Sequence, residues 1–449
     1  MRVETEEARE AAEFTLPRSR LANERLHAMV PGGAHTYAKG DDQYPEDLAP
    51  VISHGRGAHV WDVDGNRYVE YGSGLRSVSL GHAHPRVVEA VRRELDRGSN
   101  FVRPSVVEVE AAERFLATVP TAEMVKFAKN GSDVTTAAVR LARAVTGRVR
   151  VAICGDHPFY SVDDWFIGTT PMPAGVPAAT TDLTVAFPYG DLAATEDLLT
   201  RYRGEVACLI LEPATQEEPP PGYLAGLREL ADRHGCLLVF DEMITGFRWS
   251  EAGAQGLYGV VPDLSTFGKA LGNGCAVSAL AGRREVMERG GLRHSGERVF
   301  LLSTTHGAET HSLAAAMAVQ TTYAEEGVTA RLHALGERLA AGVREAAAVM
   351  GVGEHVVVRG RASNLVFATL DEHGRPSQEY RTLFLRRLLA GGVLAPSFVV
   401  SSALTDADVD HTVDVVAQAC AVYRKALDAG DPAPWAAGRP VRPVFRRYV

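Results

Sequence analysis

Three segments are apolar almost without a break: VRVAIC (149–154), VACLILEP (206–213) and CLLVF (236–240). Between and around them, the apolar positions recur at helical spacing over roughly 133–146, 191–203 and 223–235. Strands that are apolar on both faces and alternate with helices predict an α/β fold with a parallel sheet covered on both sides. Upstream, residues 5–29 read as one charged amphipathic helix that ends before the turn Pro31-Gly32-Gly33. AHVWDVDGNRYVEY (58–71) reads as two strands joined at Asp64-Gly65, a type I′ hairpin signal. Val87, Val88, Val91 and Leu95 mark a helix from Pro85 that Gly98 would end. Downstream, SNLVFATL (363–370) reads as a strand, followed by helices over 378–390 and from Asp406 to about Leu427. No internal repeat occurs, and the proline-rich stretch 217–222 is a loop.

Composition narrows the function without naming it. At 449 residues the chain can build a large and a small domain, and 46% hydrophobic with 23% charged residues is ordinary for a globular protein. A net charge of -9 argues against nucleic-acid binding as the principal role and leaves a small-molecule partner. Five cysteines, Cys154, Cys208, Cys236, Cys275 and Cys420, are scattered with no C-x-x-C pair, which fits buried thiols in a reducing compartment. The N-terminus lacks a signal-peptide apolar region and no stretch of 18 apolar residues occurs, so a cytoplasmic protein that binds no membrane is expected.

The chemistry concentrates on Lys269, in STFGKALGNG, and Asp241, which ends CLLVFD. A desolvated lysine amine can form a Schiff base, and a buried carboxylate can keep a pyridine nitrogen protonated. Taken singly, Asp241 could cap the next turn and Lys269 could be a loop cation. Asn130, Gly131 and Ser132 precede a helix whose first amides favour an anion, although Ser132 or Asp133 could equally be an ordinary N-cap. His306, Glu309 and His311 could be read as metal ligands, but no further ligand cluster accompanies them and no metal is expected. The pair His82 and His84 in LGHAHP is read as structural.

The order of strand, acid, DEMITGFR and VPDLSTFGKALGNG resembles the class III, or omega, aminotransferases and their relative glutamate-1-semialdehyde aminomutase, from about Pro31 to about residue 425. That resemblance implies the type I fold of pyridoxal phosphate enzymes: a mixed, mostly parallel sheet flanked by helices, with a smaller α+β domain built from both termini. The implied domains are 1–80 and 336–449 for the small one and 81–335 for the large one. It implies pyridoxal 5′-phosphate as cofactor, with Lys269 as the linking amine and proton carrier and Asp241 beneath the ring nitrogen. Asn130, Gly131 and Ser132 would hold the phosphate. Phe159, with Tyr160 beside it, would stack on one face of the ring and Met243 would pack on the other. Thr305 would reach the phosphate of a partner subunit, so a homodimer is expected.

For the substrate, the aminomutase's serine and arginine after the Pro-Gly-Gly turn correspond to Thr36 and Lys39, and lysine lacks arginine's two-pronged grip on a carboxylate. Arg76 in GSGLR is a new polar group where the aminomutase carries tryptophan. GSGLR, GDHPFYSVDDWFIGTT, STTHGAET and LAPSFVVS look most similar to a branch acting on sugars, including the aminotransferases of aminoglycoside biosynthesis, and Asp163 and Asp164 would suit a cationic amino sugar. The implied reaction moves an amino group from a glutamate-type donor to a sugar-type aldehyde or ketone by a ping-pong mechanism. A glutamate-1-semialdehyde 2,1-aminomutase, an epimerase on the same cofactor, and a catalytically silent protein on this fold are the alternatives.

Overall fold

Why the longest apolar runs lack alternation is answered by the central sheet, in which both faces are covered. A computed structural model describes residues 14–448. In the terminal segments three short strands come first: β1 (Ile52–Arg56), β2 (His59–Asp62) and β3 (Arg67–Glu70). Then follow β4 (Met124–Ala128), β5 (Arg150–Cys154), β6 (Thr184–Phe187), β7 (Val206–Leu211), β8 (Leu237–Asp241), β9 (Leu264–Phe267) and β10 (Ser278–Gly282). Finally come β11 (Val356–Arg359), β12 (Val366–Thr369) and β13 (Val393–Leu394). The seven-stranded sheet runs β4-β10-β9-β8-β7-β5-β6, with β10 antiparallel to both neighbours and the other pairs parallel.

Successive side chains of these strands divide between two cores, as a period of two requires. Val151, Ile153, Cys208, Ile210 and Val239 pack with the helix Gly131–Thr146, through Val134, Ala138 and Leu141. Ala152, Cys154, Leu209, Leu211, Leu238 and Phe240 pack on the opposite face with Leu227 and Leu230 of the helix Tyr223–His234. Every position of β7 is buried, so no polar alternation could survive in it. The type I fold is therefore a consequence of strands that are apolar on both sides.

The chain divides into two compact units. The larger comprises Gly74–Val78 and His84–Ala330; the other comprises the described residues up to Ser73, Ser79–Ala83, and the described residues from Arg331 onward. The second unit holds the sheet β1-β2-β3-β13 and the pair β11-β12, with the long helices Gln378–Ala390 and Asp406–Ala429 packed together. The latter opens on Thr405, whose hydroxyl accepts from the Asp408 amide.

Two local expectations are corrected. The N-terminal helix begins at Pro17 within the described residues, because a proline biases the residue before it, Leu16, out of the helical region; residues 5–13 of the expected helix lie outside the described residues. The β2–β3 hairpin forms, but its loop is not type I′: only Gly65 has positive φ (96°), the Gly65 amide donates to Asp62 O at 3.3 Å, and Asp62 donates to Asn66 O at 3.0 Å. This is a type I turn followed by a glycine bulge, which tolerates Asp64 in an ordinary conformation. His82 is structural, with Nε2 3.3 Å from Glu70 Oε2. Among the described residues no group of His, Cys, Asp and Glu could hold a metal, and none of the helices is long and apolar enough to cross a membrane.

Candidate active site

Because β4, β5, β7, β8 and β9 run in one direction, their carboxyl ends lie on one edge of the sheet, where ligands bind in open α/β folds. After β4 comes the Asn130–Ser132 turn, and after β5 the segment carrying Phe159 and Tyr160. Glu212 follows β7, Asp241 ends β8, and Gly268-Lys269 follows β9.

At Asp241 the geometry is specific. The carboxylate is buried, and Oδ1 accepts from the Met243 amide at 3.1 Å and from the Thr266 hydroxyl at 3.0 Å. Both bonds fall on Oδ1, leaving Oδ2 to face another donor. Burial pushes the carboxyl up, and the nearby Lys269 charge opposes that rise. At Lys269 burial holds the amine below its usual range, against the pull of Asp241 and Glu212 and assisted by Arg76 and Arg248. The lysine backbone is left-handed, with φ of 47°. For a non-glycine residue that conformation costs energy, which a protein retains where a side chain must be aimed.

A second acid, Glu212, was missed by the sequence reading. It is buried and its carboxyl is pushed up to about 7, first by burial and then by Asp241, while Lys269 and Arg76 hold it down. The signal existed: Glu212 closes the apolar run of β7 as Asp241 closes that of β8. Arg76 lies in a run of left-handed residues, Ser73, Gly74, Leu75 and Arg76, with φ between 44° and 72°. Its carbonyl accepts from the fully buried Arg248 guanidinium at 3.1 Å. Arg76 is thereby brought beside Glu212 and Lys269 electrostatically.

Met243 joins the phosphate turn to the lysine. A Cβ on Gly131 would stand 3.1 Å from Met243 Sδ, and one on Gly268 would stand 2.7 Å from it. Both glycines leave room for the thioether between them. At the start of the helix Gly131–Thr146 Asn130 is the N-cap and takes the Asp133 amide, which leaves the Gly131 and Ser132 amides as the first ones to offer. Asp133 Oδ2 takes the Asn130 amide at 2.8 Å, and Ser278 donates to Asn130 O at 2.8 Å, so the turn is held by its neighbours. The Ser132 hydroxyl accepts from Val162 N at 3.0 Å. A cradle of amides, an amine at a left-handed turn, and a buried carboxylate with one oxygen open together fit a phosphorylated pyridine aldehyde.

The remaining predicted residues are placed less centrally. Phe159 is 42% exposed and meets Phe166 edge-on, whereas Tyr160 is buried with its hydroxyl 2.8 Å from His157 Nδ1. Asp163 accepts from the Thr136 hydroxyl and from Ser161 at 3.3 Å and precedes a short helix, so its charge is engaged within the protein; Asp164 is exposed. Thr305 is exposed, its carbonyl accepting from Asn100 at 3.2 Å. Glu309 pairs with Lys129 at 2.6 Å, and its Oε1 stands 2.8 Å from His306 Nδ1. Thr36 and Lys39 are exposed in the other unit.

Known proteins resemble this chain over most of its length. The profile of the family described as aminotransferase class-III matches residues 41–399. The glutamate-1-semialdehyde 2,1-aminomutase of Desulfitobacterium hafniense is 34% identical over 424 residues, covering 89% of this chain and 97% of that protein. The enzyme of the same name from Syntrophobacter fumaroxidans is 33% identical over 433 residues, covering 90% and 98%. Among solved structures, an omega-transaminase from Sphaerobacter thermophilus superposes with a TM-score of 0.80 at 27% identity, covering 90% of this chain and 97% of that one.

Proposed function

The chain belongs to the class-III aminotransferases, and from that premise we propose that it moves an amino group from a glutamate-type amino acid to a sugar-type aldehyde or ketone. It is an enzyme, and its cofactor is pyridoxal phosphate. When bound, that cofactor supplies an aldehyde that links to amines and a ring that draws electrons from the adjoining carbon. Lys269 would hold it, Asp241 Oδ2 would accept from the ring nitrogen, and the Asn130–Ser132 turn would take the phosphate. Tyr160 and Phe159 lie on the segment that would flank the ring, with Met243 opposite.

Lys269 carries the proton in this reading. With the donor bound, its Nζ would take the donor's Cα proton and return it to the carbon on the other side of the donor nitrogen, a 1,3 shift that one amine can perform when burial has lowered its basicity. Arg76 supports an anionic donor, since a guanidinium beside the amine can pair with the donor carboxylate. Glu212 balances that guanidinium when an uncharged acceptor replaces the donor. Thr36 and Lys39, which replace the serine and arginine of the aminomutase, weaken the case for a semialdehyde carboxylate and favour a neutral acceptor. Thr305 and the subunit arrangement of the family support a homodimer.

The observation that carries the reading is the grouping of Lys269, Asp241, Glu212 and Arg76. A second reading, the intramolecular glutamate-1-semialdehyde aminomutase, is favoured by relatives of that name at 33–34% identity. Spectroscopic titration separates them. An amino sugar such as neamine should bleach the absorbance of the bound cofactor, and 2-oxoglutarate should restore it with glutamate formed. Conversion of glutamate-1-semialdehyde alone, without response to the sugar, would select the aminomutase.

A further inference from the structure

We propose that His157 is a positioning residue that fixes Glu212 against Lys269, its neutral imidazole accepting the Glu212 backbone amide. This rests on the reading of Lys269 as the cofactor-linked amine and adds a residue that acts through Glu212. His157 Nδ1 stands 3.1 Å from Glu212 N, and a backbone amide can only donate, so Nδ1 is the acceptor and the imidazole proton sits on Nε2. The Tyr160 hydroxyl, 2.8 Å away, converges on the same nitrogen. His157 is 6% exposed, and burial drops its pKa to about 4, so it stays uncharged near neutrality.

A filler role does not account for this imidazole. Nε2 is buried without a hydrogen-bond partner, which costs on the order of 1–3 kcal/mol and would be avoided by an apolar side chain of similar size. What the imidazole supplies is a ring acceptor for Glu212 N. Without it, that amide at the end of β7 would be left with the Tyr160 hydroxyl alone in a buried setting. The bond also ties three elements together: Tyr160 O accepts from Thr135 of the helix Gly131–Thr146 at 2.8 Å, while His157 grips the end of β7. Asp156, beside His157, is held by the Tyr189 amide at 2.7 Å.

The groups that meet Glu212 are Asp241, Lys269 and Arg76, with Tyr160 and Cys154 as neutral neighbours. A Glu212 carboxylate held in place raises the basicity of the Lys269 linkage, and one that drifts away ceases to do so. Removing the His157 acceptor therefore alters both proton transfer and the pH at which the bound cofactor changes colour.

The test uses the holoenzyme. His157→Phe keeps the ring volume and removes the acceptor; His157→Asn places Oδ1 where Nδ1 was. The Phe variant should lower kcat by about 10- to 100-fold, the scale of a misplaced group, with KM for the donor changed less than about threefold. Its cofactor absorbance titration should move to lower pH, and the Asn variant should restore both readouts. Should the Phe variant not fold, His157→Gln, whose acceptor falls at the Nε2 position, takes its place with the same expectation. Equal losses in the Asn and non-accepting variants, or an unmoved titration, would overturn the proposal. So would additive effects with Glu212→Gln, because residues acting through one group are non-additive. If the cofactor is not on Lys269, the underlying reading fails; if it is and these variants behave like the parent, only the role of His157 fails.

Discussion

Lys269 and Asp241 differ from the chain's other lysines and acids by environment more than by identity. Lys39, Lys126 and Lys425 are exposed, and Lys129 is paired with Glu309, whereas Lys269 sits at a left-handed turn between two buried acids. Lys269→Ala should cut the transamination rate by at least about 1,000-fold, measured by single-turnover conversion of a donor. Asp241→Asn should lower it by roughly 100- to 10,000-fold while the cofactor stays bound. Glu212 makes a separate prediction. Its folded pKa, about 7, lies above the ordinary 4.5, so its stabilising contribution is complete below about 4.5 and is lost as pH rises through 7. Apoprotein stability in urea should therefore fall between about pH 5 and pH 8, and Glu212→Gln should recover up to roughly 3 kcal/mol at pH 8; an unchanged slope would contradict the placement of this acid. Lys269 and Asp241 were legible because each punctuates an apolar run. Glu212 closes the run of β7 in the same way and was passed over, whereas His157 leaves no such mark, because its place arises from which strand ends become neighbours, and spacing along a chain does not record that.

At the level of elements, the strands and helices of the large unit were readable because burial on both faces leaves a chemical trace of uninterrupted apolar residues. Turns were less so, since Asp64-Gly65 suits two loop types and only hydrogen bonding distinguishes them. The segment after β8 shows how an element can be organised by a buried charge. Glu242 accepts from Ala254 N and Gln255 N, both at 2.8 Å, and anchors the helix Gly253–Tyr258. A Cβ at Gly253 would lie 2.4 Å from Glu242 Oε2, at a φ of 80°. Gly253→Ala should destabilise the protein by about 1–3 kcal/mol in chemical denaturation, whereas alanine at the open turn glycine Gly204, where nothing lies within 4 Å, should show only the cost of its positive φ. Comparable losses at both sites would mean that Glu242 does not crowd this turn.

For the whole molecule, the fold and the site follow from the sheet and from its carboxyl-end residues, while in the reading proposed above the acceptor substrate depends on a few polar side chains. Thr36, Lys39 and Arg76 are such positions, and their types could be read while their surroundings could not. A homodimer with Thr305 serving the partner's cofactor predicts a single species of twice the chain mass in sedimentation, and Thr305→Ala should weaken cofactor retention on dialysis without dissociating it; an active monomer would contradict this. The central claim is that Lys269 bears the cofactor. Borohydride reduction of the holoenzyme followed by peptide mass spectrometry tests it directly. The account predicts one phosphopyridoxyl group, on the peptide containing Lys269, and its loss in Lys269→Ala; a label on Lys129 or another lysine, or none at all, would contradict it.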